Sequence, residues 1–335
     1  FAETLVQFAR GLAFRVAVFE VRSEISLMKV SDQLTWIAEA IISEVLQFAY
    51  QEAVKKHGRP KIASDNSQLF GLSILAYGKL GGLEMNYDSD LDLVFVHQID
   101  EDTLTDGDHP IEGGLFVNRL VRRIISVLET RTRFGKLYNI DTRLRPSGRS
   151  GLMVVSDKAI EKYLDESAWT WELQAFVRAR PIAGDDNLRH YLDQLRKKIL
   201  TRKRDNKALK YEVVSMREKM RTHLSRTRLD NSFGLKHDSG GIVDIEFMVQ
   251  YKVLANAARH SDLAVFTDNI RQLEALARAG CIENGDAEVL KSAYIKYRAL
   301  YHEAILADRN DRVDQIIIED ERLKVESFWE RWMSL

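Results

Sequence analysis

The chain has 335 residues, more than one ordinary domain usually holds, so its length favours two packed units over a single core. Hydrophobic residues make up 45% and charged residues 30%, which excludes a disordered chain, and no apolar run approaches the roughly 18 residues that a membrane span needs. Forty-nine Lys plus Arg against fifty Asp plus Glu leave a formal net charge of -1, which argues against nucleic-acid binding by bulk charge.

The chain opens at Phe1 without a signal peptide or targeting presequence, as expected of a piece of a longer polypeptide. Leu5, Phe8, Leu12, Val16 and Phe19 keep a helical spacing, and Leu34, Ile37, Ile41, Val45 and Ala49 repeat it after an N-cap expected at Ser31. All four prolines and eleven of the eighteen glycines fall between residues 60 and 184, so the helix breakers concentrate in one stretch. Within it, Leu72 to Tyr77, Leu91 to His97, Lys136 to Leu144 and Leu152 to Val155 read as strands. A helix with Phe116, Leu120, Ile124 and Val127 on one face separates the second strand from the third. Residues 169–180 mix Trp169 and Trp171, read as core, with Glu172, Gln174, Arg178 and Arg180, whose arginines could face a ligand.

Downstream, Val213, Met216, Met220 and Leu224 mark one helix, and Leu290, Tyr294, Tyr297 and Leu300 another. Lys210, Arg217, Arg221 and Arg228 form a basic stripe opposite the methionines, expected to be a solvated face. Asp238 to Phe247 sets three acids around a Gly-Gly turn, with Asp244 expected to cap the helix that follows. Cys281, the lone cysteine, fits a reducing cytoplasm. The expected organisation is therefore 1–59 as N-terminal helices, 60–200 as an α/β domain and 201–335 as a C-terminal helical bundle, with a hinge at 202–207.

The densest chemical signal runs from Ala76 to His97, where a strand enters a glycine turn, a polar loop follows and a second strand opens with acids. Asp90 and Asp92 project from one strand face with Cα atoms about 7 Å apart, a spacing that suits hard cations. Asp141 is placed to supply a third acid, because alternation through Tyr138 to Pro146 would expose Asp141, Arg143 and Arg145 on one strand face. Gly81 and Gly82 offer backbone N–H groups to a phosphate, Ser89 adds a hydroxyl, and Arg143 and Arg145 add bidentate phosphate contacts. Read blandly, the acids are solvated, the glycines form a plain turn and the arginines sit in surface ion pairs. Together, the glycine turn, the Asp-x-Asp strand and the later Asp strand favour the metal and phosphate reading. A calcium loop fails because Leu93 and Ile99 stand where glycine and glutamate are needed, and a Walker loop fails at Ser73 and Leu80.

Gly78-Lys-Leu-Gly-Gly82 with Glu84, and Ser89-Asp-Leu-Asp-Leu-Val-Phe95, resemble the nucleotidyltransferase motif of the glutamine synthetase adenylyltransferase family. Tyr138 to Pro146, Trp171 to Arg180 and Asp238 to Phe247 resemble further segments of the same enzymes, although Leu173 stands where histidine is expected. Tyr77 and His97 around the motif, and the ending Phe328 to Trp332, look like the C-terminal, adenylylating version. The resemblance implies an α+β fold: a polymerase-beta-like nucleotidyltransferase with a small mixed sheet and helices, followed by a helical bundle. It implies a metal-dependent transfer of AMP from ATP to a tyrosine of glutamine synthetase, with release of pyrophosphate. Asp90, Asp92 and Asp141 would hold Mg2+, or Mn2+ in its place, and Asp141 would take the tyrosine proton. The PII signal protein and glutamine would regulate the full-length enzyme. The competing readings are a phosphorolytic deadenylylase and a non-catalytic module that binds PII or glutamine synthetase. A PII uridylyltransferase should add a histidine-aspartate hydrolase domain, which the sequence does not display.

Overall fold

The β-rich runs in the glycine-containing stretch build one small mixed sheet, and helices make up most of the remaining structure. The computed structural model describes residues 1–62, 70–224 and 232–334, so Arg228 of the basic stripe lies outside the described residues. The chain divides into two compact units, Phe1–Ala168 with Arg178–Arg196, and Trp169–Val177 with Lys197–Leu335.

The first unit begins with helices α1 (Ala2–Val21) and α2 (Leu27–His57), which pack on each other. On α1 the buried residues are Val6, Ala9 and Val16, whereas Phe8 and Phe19 are exposed, so the inward face is rotated from the one expected. Helix α2 starts a turn before the expected cap: Ser26 is extended, Val30 is already in the core, and Ser31 is buried inside the helix. Its Leu34, Ile41, Val45 and Ala49 are buried as their spacing predicts.

Strand β1 (Leu72–Ala76) is followed by α3 (Gly78–Gly81), a single helical turn where a glycine turn was expected, and by β2 (Leu91–His97). Then come α4 (Gly113–Glu129), β3 (Ile140–Asp141), β4 (Val154–Ser156) and α5 (Asp157–Glu166). Helix α6 (Thr170–Val177) belongs to the second unit, β5 (Arg180–Gly184) returns to the first, and α7 (Asp186–Leu200) runs from the first unit into the second.

The sheet order is β3-β2-β1-β5, with β4 also paired to β2. β1 is antiparallel to β2 and β5, while β3 and β4 run parallel to successive parts of β2. The strand expected over 136–144 shrinks to Ile140–Asp141, because the chain turns at Thr142 and Arg145 N–H donates back to Thr142 O at 3.3 Å. β5 has no counterpart among the expected strands; it lies at the sheet edge, where Pro181 needs no ladder donor. Leu72, Ile74 and Ala76 of β1 and Leu91, Leu93 and Phe95 of β2 share a core with Ile41 and Val45 of α2 and Phe116, Leu120 and Ile124 of α4. This packing leaves the acid-bearing start of β2 beside β3.

The second unit comprises α6, α8 (Asn206–Leu224), β6 (Ser232–Gly234), α9 (Ile242–Asn256), α10 (Asn269–Arg278), α11 (Asn284–Leu306), β7 (Arg312–Asp314) and α12 (Glu319–Met333). Helix α9 packs against α6, α8, α10, α11 and α12, so it is apolar almost all round. Leu290, Tyr294 and Tyr297 of α11 are buried as expected. On α8 the buried stripe is Leu209, Val213 and Arg217, with Met216 and Met220 only half-buried. Arg217 is therefore a core residue, not part of a solvated basic face, because the buried Asp244 draws it inward. Trp169 and Trp171 are also misplaced by the core reading: they are exposed, while Glu172, Gln174 and Phe176 face inward. No helix among the described residues is long and apolar enough to cross a membrane.

Candidate active site

Parallel pairing of β2 with β3 places Leu91 opposite Ile140 and Asp92 opposite Asp141. Leu91 N–H donates to Asn139 O at 2.9 Å, and Tyr77 N–H donates to Asp92 O at 2.9 Å, which fixes three chain segments at the acid-bearing end. Asp90 precedes the strand and is exposed, while Asp92 and Asp141 are half-buried. Gly78 abuts this end with a φ of +56°, and a Cβ there would collide with the Asp92 carboxylate. The sequence motif contains Gly78, but its contact with Asp92 crosses strands and has no local sequence signal.

Asp90, Asp141, Arg143 and Arg145 line one cleft of about 520 Å³ together with Asn139 and Thr142. Asp141 Oδ1 accepts the backbone N–H of Arg143 at 2.8 Å, and Oδ2 accepts Arg143 Nε at 2.7 Å and Nη2. This hydrogen bonding and the charge of Asp141, followed by the charges of Asp92 and Asp90, hold the Arg143 guanidinium above its ordinary pKa. Arg145 is buried instead: Nη1 donates to Thr142 O at 2.8 Å and to Thr142 Oγ1 at 2.9 Å, and Nε donates to Gly151 O at 3.2 Å. The two arginines thus occupy a turn and differ in setting, where a continuous strand would have exposed both.

Gly81, Gly82 and Ser89 stand outside the residues lining that cleft. Gly81 N–H donates to Tyr77 O at 2.9 Å and Gly82 N–H to Gly78 O at 3.1 Å, so both amides are used within the α3 turn. A side chain at either position would strike Arg178, whose guanidinium makes a buried ion pair with Glu84. Arg180 pairs with Glu39 and donates to Leu80 O at 3.3 Å, so it too serves the α3 turn. Ser89 Oγ accepts Asn86 N–H at 3.0 Å and donates to Asn86 Oδ1, which closes the loop leading into Asp90. His97, at the far end of β2, is buried and lies 3.3 Å from Glu101; burial, opposed by Glu101, pushes its imidazole pKa down.

Three carboxylates at neighbouring ends of paired strands are a hard oxygen donor set, which fits a divalent cation such as magnesium. Among the described residues no three His, Cys, Asp or Glu side chains already converge on one ion position, and Asp141 faces Arg143.

The second motif-bearing acid has a different setting. Asp244 is fully buried in the first turn of α9; Oδ1 accepts Arg217 Nε at 2.5 Å, and Oδ2 accepts Arg221 Nη2 at 2.8 Å and Gly240 N–H at 2.7 Å. The helix starts after Gly241 without a side-chain cap, so Asp244 does not cap it as expected; it lies inside the first turn, accepts the Gly240 N–H that precedes the N-cap, and has an ion-pair role that the linear spacing did not carry. Tyr294 Oη donates to Glu246 Oε1 at 3.3 Å, and Gly234 N–H donates to Asp238 Oδ2 at 2.8 Å, so both other acids of the motif serve internal contacts.

A family model described as Glutamate-ammonia ligase adenylyltransferase matches residues 1–195, and one described as GlnD PII-uridylyltransferase matches residues 214–329. The uridylyltransferase likeness therefore lies in the helical second half and not around the cleft acids. The chain is 47% identical over 330 residues to the bifunctional glutamine synthetase adenylyltransferase/adenylyl-removing enzyme of Acinetobacter baylyi. It is 45% identical over 338 residues to the protein of that description from Pseudomonas aeruginosa. These matches cover 97% and 98% of this chain but 36% and 34% of the relatives, so the chain spans about a third of their length. With the first family model covering more than half of its residues, the chain belongs to the glutamate-ammonia ligase adenylyltransferase family.

Proposed function

We propose that this chain transfers AMP from ATP to a tyrosine hydroxyl of glutamine synthetase and releases pyrophosphate. The observation that carries this reading is the register of Asp92 against Asp141 at the strand end, with Asp90 and Asp141 on the same cleft. Family membership and the adenylyltransferase activity in the relatives' names support the reaction class. In this reading residues 60–200 form a polymerase-beta-like nucleotidyltransferase domain, residues 1–59 brace it, and residues 201–335 form a helical bundle.

Asp90, Asp92 and Asp141 would hold magnesium, or manganese in its place, and a bound cation would neutralise charge developing on the transferring phosphoryl group. The tyrosine hydroxyl has a pKa of about 10, so at neutral pH its proton needs an acceptor, and Asp141 takes it. Arg143 reaches the nucleotide phosphates, and Arg145 holds the Thr142–Gly151 loop that lines the cleft. Gly81 and Gly82 serve nucleotide binding by letting Arg178 lock the α3 turn, and Ser89 does so by fixing the loop before Asp90. Glutamine synthetase is the partner, the PII protein and glutamine are regulators of the longer enzyme, and the cytoplasm is the compartment.

The relatives' names also include adenylyl removal, which favours one second reading: the same acids with inorganic phosphate as nucleophile and ADP as product. Incubation with α-labelled ATP, magnesium and unmodified glutamine synthetase is expected to label the synthetase. Adenylylated synthetase with phosphate is expected to yield little ADP, and ADP release at the forward rate would assign the site to removal or to both directions.

A further inference from the structure

We infer that Arg143 is a built-in counter-cation on Asp141, which must leave before the acids take a divalent cation, so that cation and nucleotide enter together. The inference rests on the nucleotidyl-transfer reading of this cleft. Both oxygens of Asp141 are engaged by the same residue: Oδ1 by the Arg143 backbone N–H at 2.8 Å, and Oδ2 by Nε at 2.7 Å and by Nη2. Asp92 sits opposite Asp141 in the strand register, and the charges of Asp92 and Asp90 also act on Arg143. The guanidinium therefore stands in the field of the three acids that a divalent ion would use. Two cations cannot share Asp141 Oδ2 without strong repulsion at such short range.

Exposure gives this contact its reversibility. The Arg143 side chain is 63% exposed, and an exposed ion pair screened by water holds weakly. Arg145 offers no such freedom, because it is buried and donates to Thr142 O, Thr142 Oγ1 and Gly151 O. Between Arg143 and Arg145, Arg143 is therefore the one placed to swing. Triphosphate oxygens match a guanidinium in bidentate geometry at least as well as a carboxylate does, so nucleotide arrival gives Arg143 a second partner in the same cleft. Its departure frees Asp141 for the cation that comes with the phosphates. Without nucleotide, the arginine offsets the charge of Asp141 and weakens occupation by the cation alone.

The test is a titration with Mn2+, followed by the electron paramagnetic resonance of the free ion, on the whole chain, its Arg143→Gln variant and its Asp92→Asn variant. Without nucleotide, Arg143→Gln is expected to bind Mn2+ about tenfold more tightly than the wild type, because a neighbouring positive charge is gone. Adding α,β-methylene-ATP is expected to raise Mn2+ affinity by a larger factor in the wild type than in Arg143→Gln. Equal or weaker Mn2+ binding by Arg143→Gln, with Asp92→Asn still abolishing it, overturns the counter-cation role and leaves the cleft as the metal site. Mn2+ binding indifferent to Asp92→Asn removes the metal reading and the counter-cation role with it.

Discussion

Asp141 in the first unit and Asp244 in the second each accept hydrogen bonds from arginine and from a backbone N–H, yet their surroundings differ. Asp244 and Arg217 are both fully buried, whereas Asp141 is 19% exposed and its arginine 63% exposed beside an open cleft. A sealed pair has given up its hydration for good, so its partners depend on each other and serve the fold. A half-open pair keeps exchanging with water and ligands, so its groups remain available for chemistry. Similar ingredients thus divide into scaffold and site according to burial, and each variant below strains that division at one point.

The largest effect is expected at the open cluster. Asp141→Asn should lower AMP transfer at least about a thousandfold, since it removes both a metal oxygen charge and the proton acceptor, while the melting temperature stays near wild type. Retained transfer would move Asp141 to the scaffold side. Next, Asp244→Asn should destabilise the protein by about 3 to 5 kcal/mol, because Arg217 is left buried without its counter-charge. Denaturant unfolding measures this, and wild-type stability would mean that the sealed cluster is not a scaffold.

A smaller loss is expected from Gly78→Ala. A non-glycine residue in the left-handed region costs about 1 to 2 kcal/mol, and the added methyl presses on the Asp92 carboxylate. Transfer should fall more than stability does, and steady-state kinetics beside thermal melts separate the two. The smallest effect is on pH dependence. Burial lowers the pKa of His97 in the first unit and of His237 in the second from the ordinary 6.5. Between the lowered folded value and 6.5 the unfolded chain binds more protons, so stability is full above 6.5 and declines as pH falls through that window. Melting temperatures at about pH 7.5 and 5.5 should show that decline, and His97→Gln and His237→Gln should each flatten it in part.

Much of the first unit was legible because short-range patterns encode it. The spacing of Leu91, Leu93 and Phe95 announced a strand carrying Asp92, although Asp90 falls just before it, and α4 carried its four-residue apolar face plainly. The alternation from Tyr138 to Pro146 misled because a turn produced it: Arg143 N–H folds back to the Asp141 side chain, and Arg145 N–H folds back to Thr142 O. The burial of Arg217 could not be read locally, since its partner Asp244 lies 27 positions away. Gly81 and Gly82 look like phosphate-loop glycines in sequence, but their smallness accommodates Arg178, a contact made across the fold. Trp169 and Trp171 are apolar enough for a core, but the inward face of α6 is taken by Glu172, Gln174 and Phe176.

The most direct test of the account is AMP incorporation into glutamine synthetase from α-labelled ATP by Asp92→Asn, with its thermal melt recorded on the same preparation. This variant keeps the side-chain volume beside Gly78 and the strand register with Asp141, and removes one carboxylate charge. Wild-type melting is expected with transfer reduced at least about a thousandfold, the cost of losing a metal-holding charge. Transfer within about tenfold of wild type, with the melt unchanged, would contradict it and place the chemistry away from the start of β2.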